Sequence, residues 1–253
     1  MTAGPLRCSI VLPAHNEADL LEGSVRDLVK AMRDRDEAFE VVIVENGSTD
    51  RTLPLAERIE SETPEVRVVT LPIADYGAAV AKGFDEATAP VVVHFDVDYV
   101  DVGFLDKGLA LVDAGVAGIV LASKRAPGAK DRRPLLRRLL TAGFTLAMRV
   151  LLQMPVTDAH GMKVLARAQC ARAAKACKMT GSLWDVELVL RASRAGVRVA
   201  ELPAVVVELR PPRTPVWQRS IESATGLLRL RWLLWRERFG RRQSHSDCPA
   251  REG

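Results

Sequence analysis

The chain lacks the marks of several protein classes. Only four of its 253 residues are cysteine, and Cys8, Cys170, Cys177 and Cys248 form neither a CxxC pair nor a zinc-ligand spacing. Such thiols are expected to stay reduced, as in a cytoplasmic protein. No run of about 20 residues is apolar and free of charge, so no membrane span is expected. Met1 to Pro5 has no charged segment leading into a long apolar one, and no signal peptide is expected. Aromatic residues make up only 5% of the chain, and no RNA- or DNA-binding motif appears. A nucleic-acid binder therefore ranks last, despite a net charge of +4. No internal repeat is evident. What remains is 48% hydrophobic and 27% charged, as in a soluble folded protein, with length for one large α/β domain or two small ones.

Apolar runs of strand length recur along the first half. They cover Cys8 to Leu12, Phe39 to Val44, Val66 to Leu71, Val91 to Phe95 and Gly118 to Ala122. Helical patterns separate them, one reaching about Met32 and another opening at Asp75-Tyr76-Gly77 and reaching about Ala87. This alternation predicts an α/β fold with a mostly parallel sheet and helices on both faces. Ligand contacts in such folds gather at the carboxyl ends of the strands. Those ends carry Pro13-Ala14-His15-Asn16-Glu17, Glu45-Asn46-Gly47-Ser48-Thr49-Asp50 and Ser123-Lys124-Arg125. Ser48 or Asp50 is expected to cap the helix that follows.

The fourth run ends in Asp96-Val97-Asp98. Residues two apart in an extended chain share a face, so both carboxylates point the same way. Converging carboxylates at the end of a buried strand need a cation or hydrogen bonds to satisfy them. A hard divalent ion shared with substrate phosphates is the simplest partner. The plainer alternative has Asp98 capping a helix near Gly103 while Asp96 is merely exposed.

The second half changes character. Pro134 to Met154 is helical, with Arg138, Thr141, Thr145, Arg149 and Gln153 on one stripe and Leu136, Leu140, Gly143, Ala147, Val150 and Met154 opposite. A loop holding Asp158, His160, Gly161 and Lys163 leads to a helix ending near Cys177. Trp184-Asp185-Val186-Glu187 begins another, which should stop at Gly196. Val197 to Leu209 is extended, interrupted by Pro203. A last helix spans about Val216 to Phe239, with Ile221, Ala224, Leu228, Trp232, Trp235 and Phe239 on its apolar stripe. Eight arginines fall between Arg213 and Arg242, against only Glu222 and Glu237. Trp on one side and Arg on the flanks suit an anionic bilayer surface. Docking on the protein core with a solvated basic face is the alternative. The tail from 243 to 253 is expected to be disordered.

In order and spacing, these segments resemble family 2 glycosyltransferases of the GT-A fold, and within them the polyprenyl-phosphate (dolichol-phosphate) sugar synthases. The resemblance rests on Val-Leu-Pro-Ala-His-Asn-Glu at 11–17, Glu-Asn-Gly-Ser-Thr-Asp at 45–50, Tyr-Gly-Ala-Ala-Val-Ala-Lys-Gly at 76–83 and Asp-Val-Asp at 96–98. It continues through Ala-Ser-Lys-Arg at 122–125, Arg-Arg-Leu-Leu at 137–140, His-Gly-Met-Lys at 160–163, Asp-Val-Glu-Leu at 185–188 and Ala-Gly-Val-Arg-Val-Ala-Glu-Leu-Pro at 195–203. The absence of a QxxRW motif argues against processive polysaccharide synthases. Val100, His160 and Met162 depart from the family's usual residues.

The resemblance implies a single GT-A domain over 1–242, with a nucleotide half at about 6–125 and an acceptor half at about 126–242. Pro13, Ala14, Asn16 and Glu17 would line the nucleotide, and Glu45 and Asn46 would meet the ribose and base. Asp75 and Lys82 would lie near the base or diphosphate. Asp96, Val97 and Asp98 would contact the donor, the two aspartates holding Mg²⁺ or Mn²⁺ on the diphosphate. Ser123, Lys124, Arg125, Arg137 and Arg138 are candidates to grip an acceptor phosphate, since guanidinium forks suit that task. Asp185 and Glu187, with Asp98, are the catalytic candidates. The implied partners are a nucleotide-sugar donor, a lipid-phosphate acceptor and the inner leaflet of a membrane, with no nucleic acid. Rival readings are transfer to a soluble hydroxyl acceptor and a catalytically silent, membrane-docked scaffold. The sequence sets neither the sugar, the base nor the oligomeric state.

Overall fold

The computed structural model describes residues 4–35, 37–131, 134–206 and 216–246, with side chains of the last stretch described for 222–237. In chain order the elements are β1 (Cys8–Ala14), α1 (Leu21–Arg33), β2 (Phe39–Asn46), α2 (Thr52–Glu62), β3 (Val66–Leu71), α3 (Tyr76–Glu86), β4 (Val91–His94), α4 (Val102–Asp113), β5 (Ile119–Ser123), β6 (Lys130–Asp131), α5 (Leu135–Leu152), β7 (Lys163–Ala166), α6 (Arg167–Ala176), α7 (Leu183–Arg194), β8 (Val199–Pro203), β9 (Val205–Val206) and α8 (Val216–Ser246). The chain divides into two compact units. One comprises Met1–Arg133 and Val156–Arg210, the other Pro134–Pro155 and Pro211–Gly253.

The first unit is built on a seven-stranded sheet in the order β3-β2-β1-β4-β7-β5-β8. Every neighbouring pair is parallel except those made by β7, which runs antiparallel to both β4 and β5. The apolar runs of β1, β2 and β4 are continuous because their strands are covered on both faces. Ile10, Val11, Leu12, Val41 to Val44 and Val91 to Val93 are all buried. The register sets Ala14 beside Glu45 and Val11 beside His94, so the ends of β1, β2 and β4 open on one edge of the sheet.

The short strand β7 was not expected. Its four residues follow a turn-rich loop and run straight into a helix, so neither length nor periodicity marks them. Pairing with β4 on one side and β5 on the other supplies what local pattern does not, and it sets Lys163 beside both His94 and Leu121. Helix starts differ in part from expectation. Ser48 does not cap α2, but Asp50 accepts from the amide of Thr52, the first residue of the helix, at 2.9 Å, while Arg51 at the cap position makes no side-chain bond. Asp101, not Asp98, caps α4 by accepting from the Phe104 amide at 2.9 Å. Gly196 ends α7 as expected, with φ +90°. Cys8 and Cys170 are free and buried, and burial pushes each thiol up to about 12, which leaves them inert.

The second unit holds α5 and α8, which pack against each other. α5 buries Thr145, Met148 and Leu152. Its leucine-rich surface, Leu135, Leu136, Leu139, Leu140, Leu146 and Val150, is exposed. On α8, Leu227 and Leu230 are buried while Leu228, Trp232 and Trp235 are exposed. Arg236 lies over the Trp232 ring, 4.7 Å from its centre. The side chains of Ile221 and Phe239, the ends of the expected stripe, lie outside the described residues. α8 continues to Ser246, past the end expected at Phe239, and 247–253 also lie outside the described residues. Among the described residues no helix is long and apolar enough to cross a membrane.

Candidate active site

Two loops at the open edge of the sheet are stitched together by Asn16. Its backbone is left-handed, φ 54°, a conformation asparagine tolerates better than most residues. Its side-chain oxygen accepts from the Thr49 amide at 2.8 Å, and its own amide donates to Ser48 Oγ at 3.0 Å. Glu17 donates its amide to Thr52 Oγ1 at 2.8 Å. Glu45 and Asn46 are buried at the end of β2. Glu45 accepts from the Ser48 amide at 2.6 Å, and Asn46 Oδ1 accepts from the Asp75 amide at 2.9 Å. Gly47, directly after them, takes φ +61°, and a Cβ there would sit 2.9 Å from the Ala74 nitrogen. The residues read as nucleotide-lining thus share one edge, but several of their polar atoms serve to fold the loops themselves.

Asp75 and Lys82 are employed elsewhere. Asp75 caps α3 through the Ala78 amide at 2.9 Å and accepts from the Gly181 amide at 3.0 Å. Lys82 pairs one turn ahead with Glu86 at 2.7 Å, so both residues have partners within the fold. The reason is local: an extended Asp before a helix finds unpaired amides, and a Lys four residues before a Glu finds its partner on the same face.

Asp96 and Asp98 stand just beyond β4. Asp98 is exposed, and the Asp96 side chain keeps 38% of its surface open. Loss of solvation pushes the Asp96 carboxyl above the usual range, opposed by Lys163 and reinforced by Asp98. Two hard oxygen donors of like charge, one held at reduced solvation, fit Mg²⁺ or Mn²⁺. Among the described residues no group of three His, Cys, Asp or Glu forms a complete cage. An ion on this pair would need further ligands, which for Mg²⁺ are commonly waters and phosphates.

Behind Asp96 lies a buried polar chain that the sequence reading missed. Tyr76 Oη is 3.4 Å from Asp96 Oδ1 and 3.3 Å from His94 Nε2. His94 Nδ1 is 3.3 Å from Lys163 Nζ, which also donates to the Gly161 carbonyl at 2.7 Å. Burial and the Lys163 charge hold His94 well below its usual value, so the imidazole is neutral and its 3.9 Å approach to Asp96 is not an ion pair. Burial pushes the Tyr76 phenol well up. Asp185 Oδ2 lies 2.9 Å from Lys163 Nζ, with both side chains almost wholly buried. Neither Asp185 oxygen has a well-aligned hydrogen bond among the described residues. Burial raises the Asp185 carboxyl, and Lys163 works against that rise. A histidine inside the run Val91 to Phe95 was the available signal, since a buried polar group needs a partner.

Glu187, the other catalytic candidate, is a brace. It is fully buried, takes the Lys178 and Met179 amides at 2.7 and 2.6 Å, and pairs with Arg191 at 2.7 Å. Ser123 likewise turns inward. Its buried hydroxyl accepts from the Arg125 and Ala126 amides, both at 3.1 Å, and bonds Thr157 Oγ1 at 2.7 Å. A chain turning sharply after a strand needs such an acceptor, which withdraws Ser123 from an acceptor phosphate. Lys124 keeps 22% of its side chain exposed and lies 3.5 Å from the Asp158 carboxylate. Arg125 is exposed. Arg137 and Arg138 belong to the second unit, in the first turn of α5, Arg138 exposed and Arg137 partly so.

Residues 9–171 match the family model described as Glycosyl transferase family 2. The chain is 30% identical over 207 residues to Glycosyltransferase AglD of Haloferax volcanii, covering 80% of this chain but only 33% of that protein's length. It is 28% identical over 211 residues to Undecaprenyl-phosphate mannosyltransferase of Micrococcus luteus, covering 80% and 84%. Among solved structures, mannosyltransferase PcManGT from Pyrobaculum calidifontis with GDP-Man and Mn²⁺ aligns with a TM-score of 0.60 at 21% identity, over 86% of this chain and 61% of that one. Glucosyl-3-phosphoglycerate synthase from Mycobacterium tuberculosis, with Mn²⁺, UDP-Glc and phosphoglyceric acid, aligns with a TM-score of 0.63 at 21% identity, over 89% and 79%. The mixed seven-stranded sheet is that of the GT-A glycosyltransferases, as the motif order implied.

Proposed function

Because the chain belongs to glycosyl transferase family 2, we propose that it moves a sugar from a nucleotide donor to a polyprenyl phosphate, with inversion and with the help of a divalent ion. The observation that carries the choice of acceptor is the state of the carboxylates near the metal pair. Asp158 and Asp185 are buried, and Glu187 is saturated by two amides and Arg191. A hydroxyl acceptor needs a general base within reach. A phosphate oxygen is already anionic at pH 7 and needs only to be aligned, and none of these three side chains is offered to deprotonate anything.

Asp96 and Asp98 would hold the ion on the donor diphosphate, where it offsets the charge that builds on the leaving group. The loops tied by Asn16, Glu45 and Asn46 would seat the nucleoside. Lys124 and Arg125, beside the end of β5, are the first unit's candidates for the acceptor phosphate. Arg137 and Arg138, on α5, are candidates of the second unit by itself. A lipid acceptor keeps its phosphate at headgroup level, so the enzyme must come to the bilayer surface. The exposed leucines of α5, whose only charged residues are arginines, support that placement, as do Trp232 and Trp235 with Arg229, Arg231 and Arg236 on α8. Each basic side chain near an anionic surface contributes about 1 kcal/mol.

A panel of GDP- and UDP-sugars offered with a short polyprenyl phosphate tests the reading, with donor hydrolysis as background. Lipid-extractable sugar from one donor class, abolished by EDTA, is the expected result. Transfer only to soluble hydroxyl compounds would overturn it.

A further inference from the structure

The buried chain behind Asp96 has a direction. An ammonium can only donate, so His94 Nδ1, 3.3 Å from Lys163 Nζ, must accept. That fixes the neutral tautomer with its proton on Nε2, which then donates to Tyr76 Oη at 3.3 Å. The phenol proton is left to Asp96 Oδ1, the acceptor within reach at 3.4 Å. Lys163 is held at the head of this chain by the Gly161 carbonyl at 2.7 Å and by the charge of Asp185 at 2.9 Å. The Tyr76 and His94 rings meet edge to face, with centroids 5.9 Å apart. The close approach of α3 to the start of α7 keeps Tyr76 in place: a Cβ on Gly77 would lie 2.5 Å from the Gly181 carbonyl oxygen. At 3.3–3.4 Å the links are long, as active-site hydrogen bonds commonly are before the ligand binds.

We propose that Tyr76 and His94 are positioning residues, which orient the Asp96 carboxylate for its cation through a one-way chain of hydrogen bonds anchored on the Lys163–Asp185 pair. The proposal rests on the metal reading given above. The chain would leave the other Asp96 oxygen turned outward, and would resist rotation of the carboxylate when a nucleoside diphosphate arrives. Partners that orient a metal ligand from behind are commonly worth 10- to 100-fold in affinity.

Mn²⁺ binding to the full chain, followed by the loss of its free EPR signal with a nucleoside diphosphate present, tests this without turnover. Tyr76→Phe keeps the ring and removes only the hydroxyl. It should weaken Mn²⁺ binding by about 10-fold with an unchanged melting temperature. His94→Phe should weaken it as well, while His94→Gln, which restores an N–H donor near Nε2, should recover part of the loss. A structural role alone would lower the melting temperature and leave Mn²⁺ affinity unmoved. Wild-type binding matched by Tyr76→Phe overturns this inference and spares the metal reading. If the wild type binds no Mn²⁺ at all, the metal reading falls and this inference with it.

Discussion

Replacing Lys163 by Met is the sharpest test of how the first unit holds its site together. The Lys163 side chain has no solvent exposure and its partner Asp185 has 1%. Removing the cation leaves a carboxylate that is buried and without an aligned hydrogen bond among the described residues. Breaking such a pair from one side costs about 3–5 kcal/mol. The second change, Asp185→Leu, should return most of that loss, because the costly item is the orphaned charge rather than the missing contact. The pH dependence has a definite sign. Burial already holds the Asp185 carboxyl above its unfolded value, and Lys163 is the main influence against it. A raised carboxyl contributes stability that is complete below its unfolded value and lost as pH climbs through its folded one. The Lys163→Met deficit should therefore be larger at pH 8 than at pH 5. Urea unfolding followed by the fluorescence of Trp184, the tryptophan of the first unit, reads this directly. A deficit below about 1 kcal/mol at pH 8, or one that does not shrink in acid, would refute the reasoning.

Three further outcomes follow from the same structure. Asp96→Asn or Asp98→Asn should abolish transfer while the melting temperature holds, and EDTA should do the same to the wild type; full activity in excess chelator would remove the metal from the account. Gly47→Ala, at φ +61° with its new Cβ 2.9 Å from the Ala74 nitrogen, should cost about 1–2 kcal/mol and weaken donor binding, read by thermal melting and nucleotide titration. The protein should co-sediment with anionic vesicles at low salt and detach at high salt. Trp232→Ala with Trp235→Ala should weaken that association and leave soluble donor binding intact.

The parallel core was legible because β1, β2 and β4 are buried on both faces and so read as unbroken apolar runs. The same logic hid β7. It is four residues long, opens on a lysine and owes its extended form to neighbours brought in from far along the chain. At the site, the Asp-x-Asp pair was readable as a motif but not by strand spacing: Asp96 to Tyr99 form a turn beyond β4, closed by the Tyr99 amide donating to the Asp96 carbonyl at 2.9 Å. The employment of Asp75, Ser123 and Glu187 was not readable. Each accepts backbone amides exposed by a turn or helix end, and sequence alone cannot tell an acceptor aimed at a ligand from one aimed at the chain. Tyr76, His94 and Lys163 come from three elements: the sheet order makes His94 and Lys163 neighbours, and the packing of α3 brings Tyr76 to them. On α5 the apolar residues were identified correctly, but which face is covered depends on packing. Thr145 is buried there, and Leu136 and Val150 are exposed.

The central claim is that the acceptor nucleophile is a lipid phosphate that needs no general base. Offering the enzyme a polyprenyl phosphate and the corresponding polyprenol, with the same donor and Mn²⁺, tests it most directly. The account predicts sugar on the polyprenyl phosphate with inverted anomeric configuration by NMR, and none on the alcohol. Comparable transfer to polyprenol, or to a soluble hydroxyl compound in its place, would contradict it.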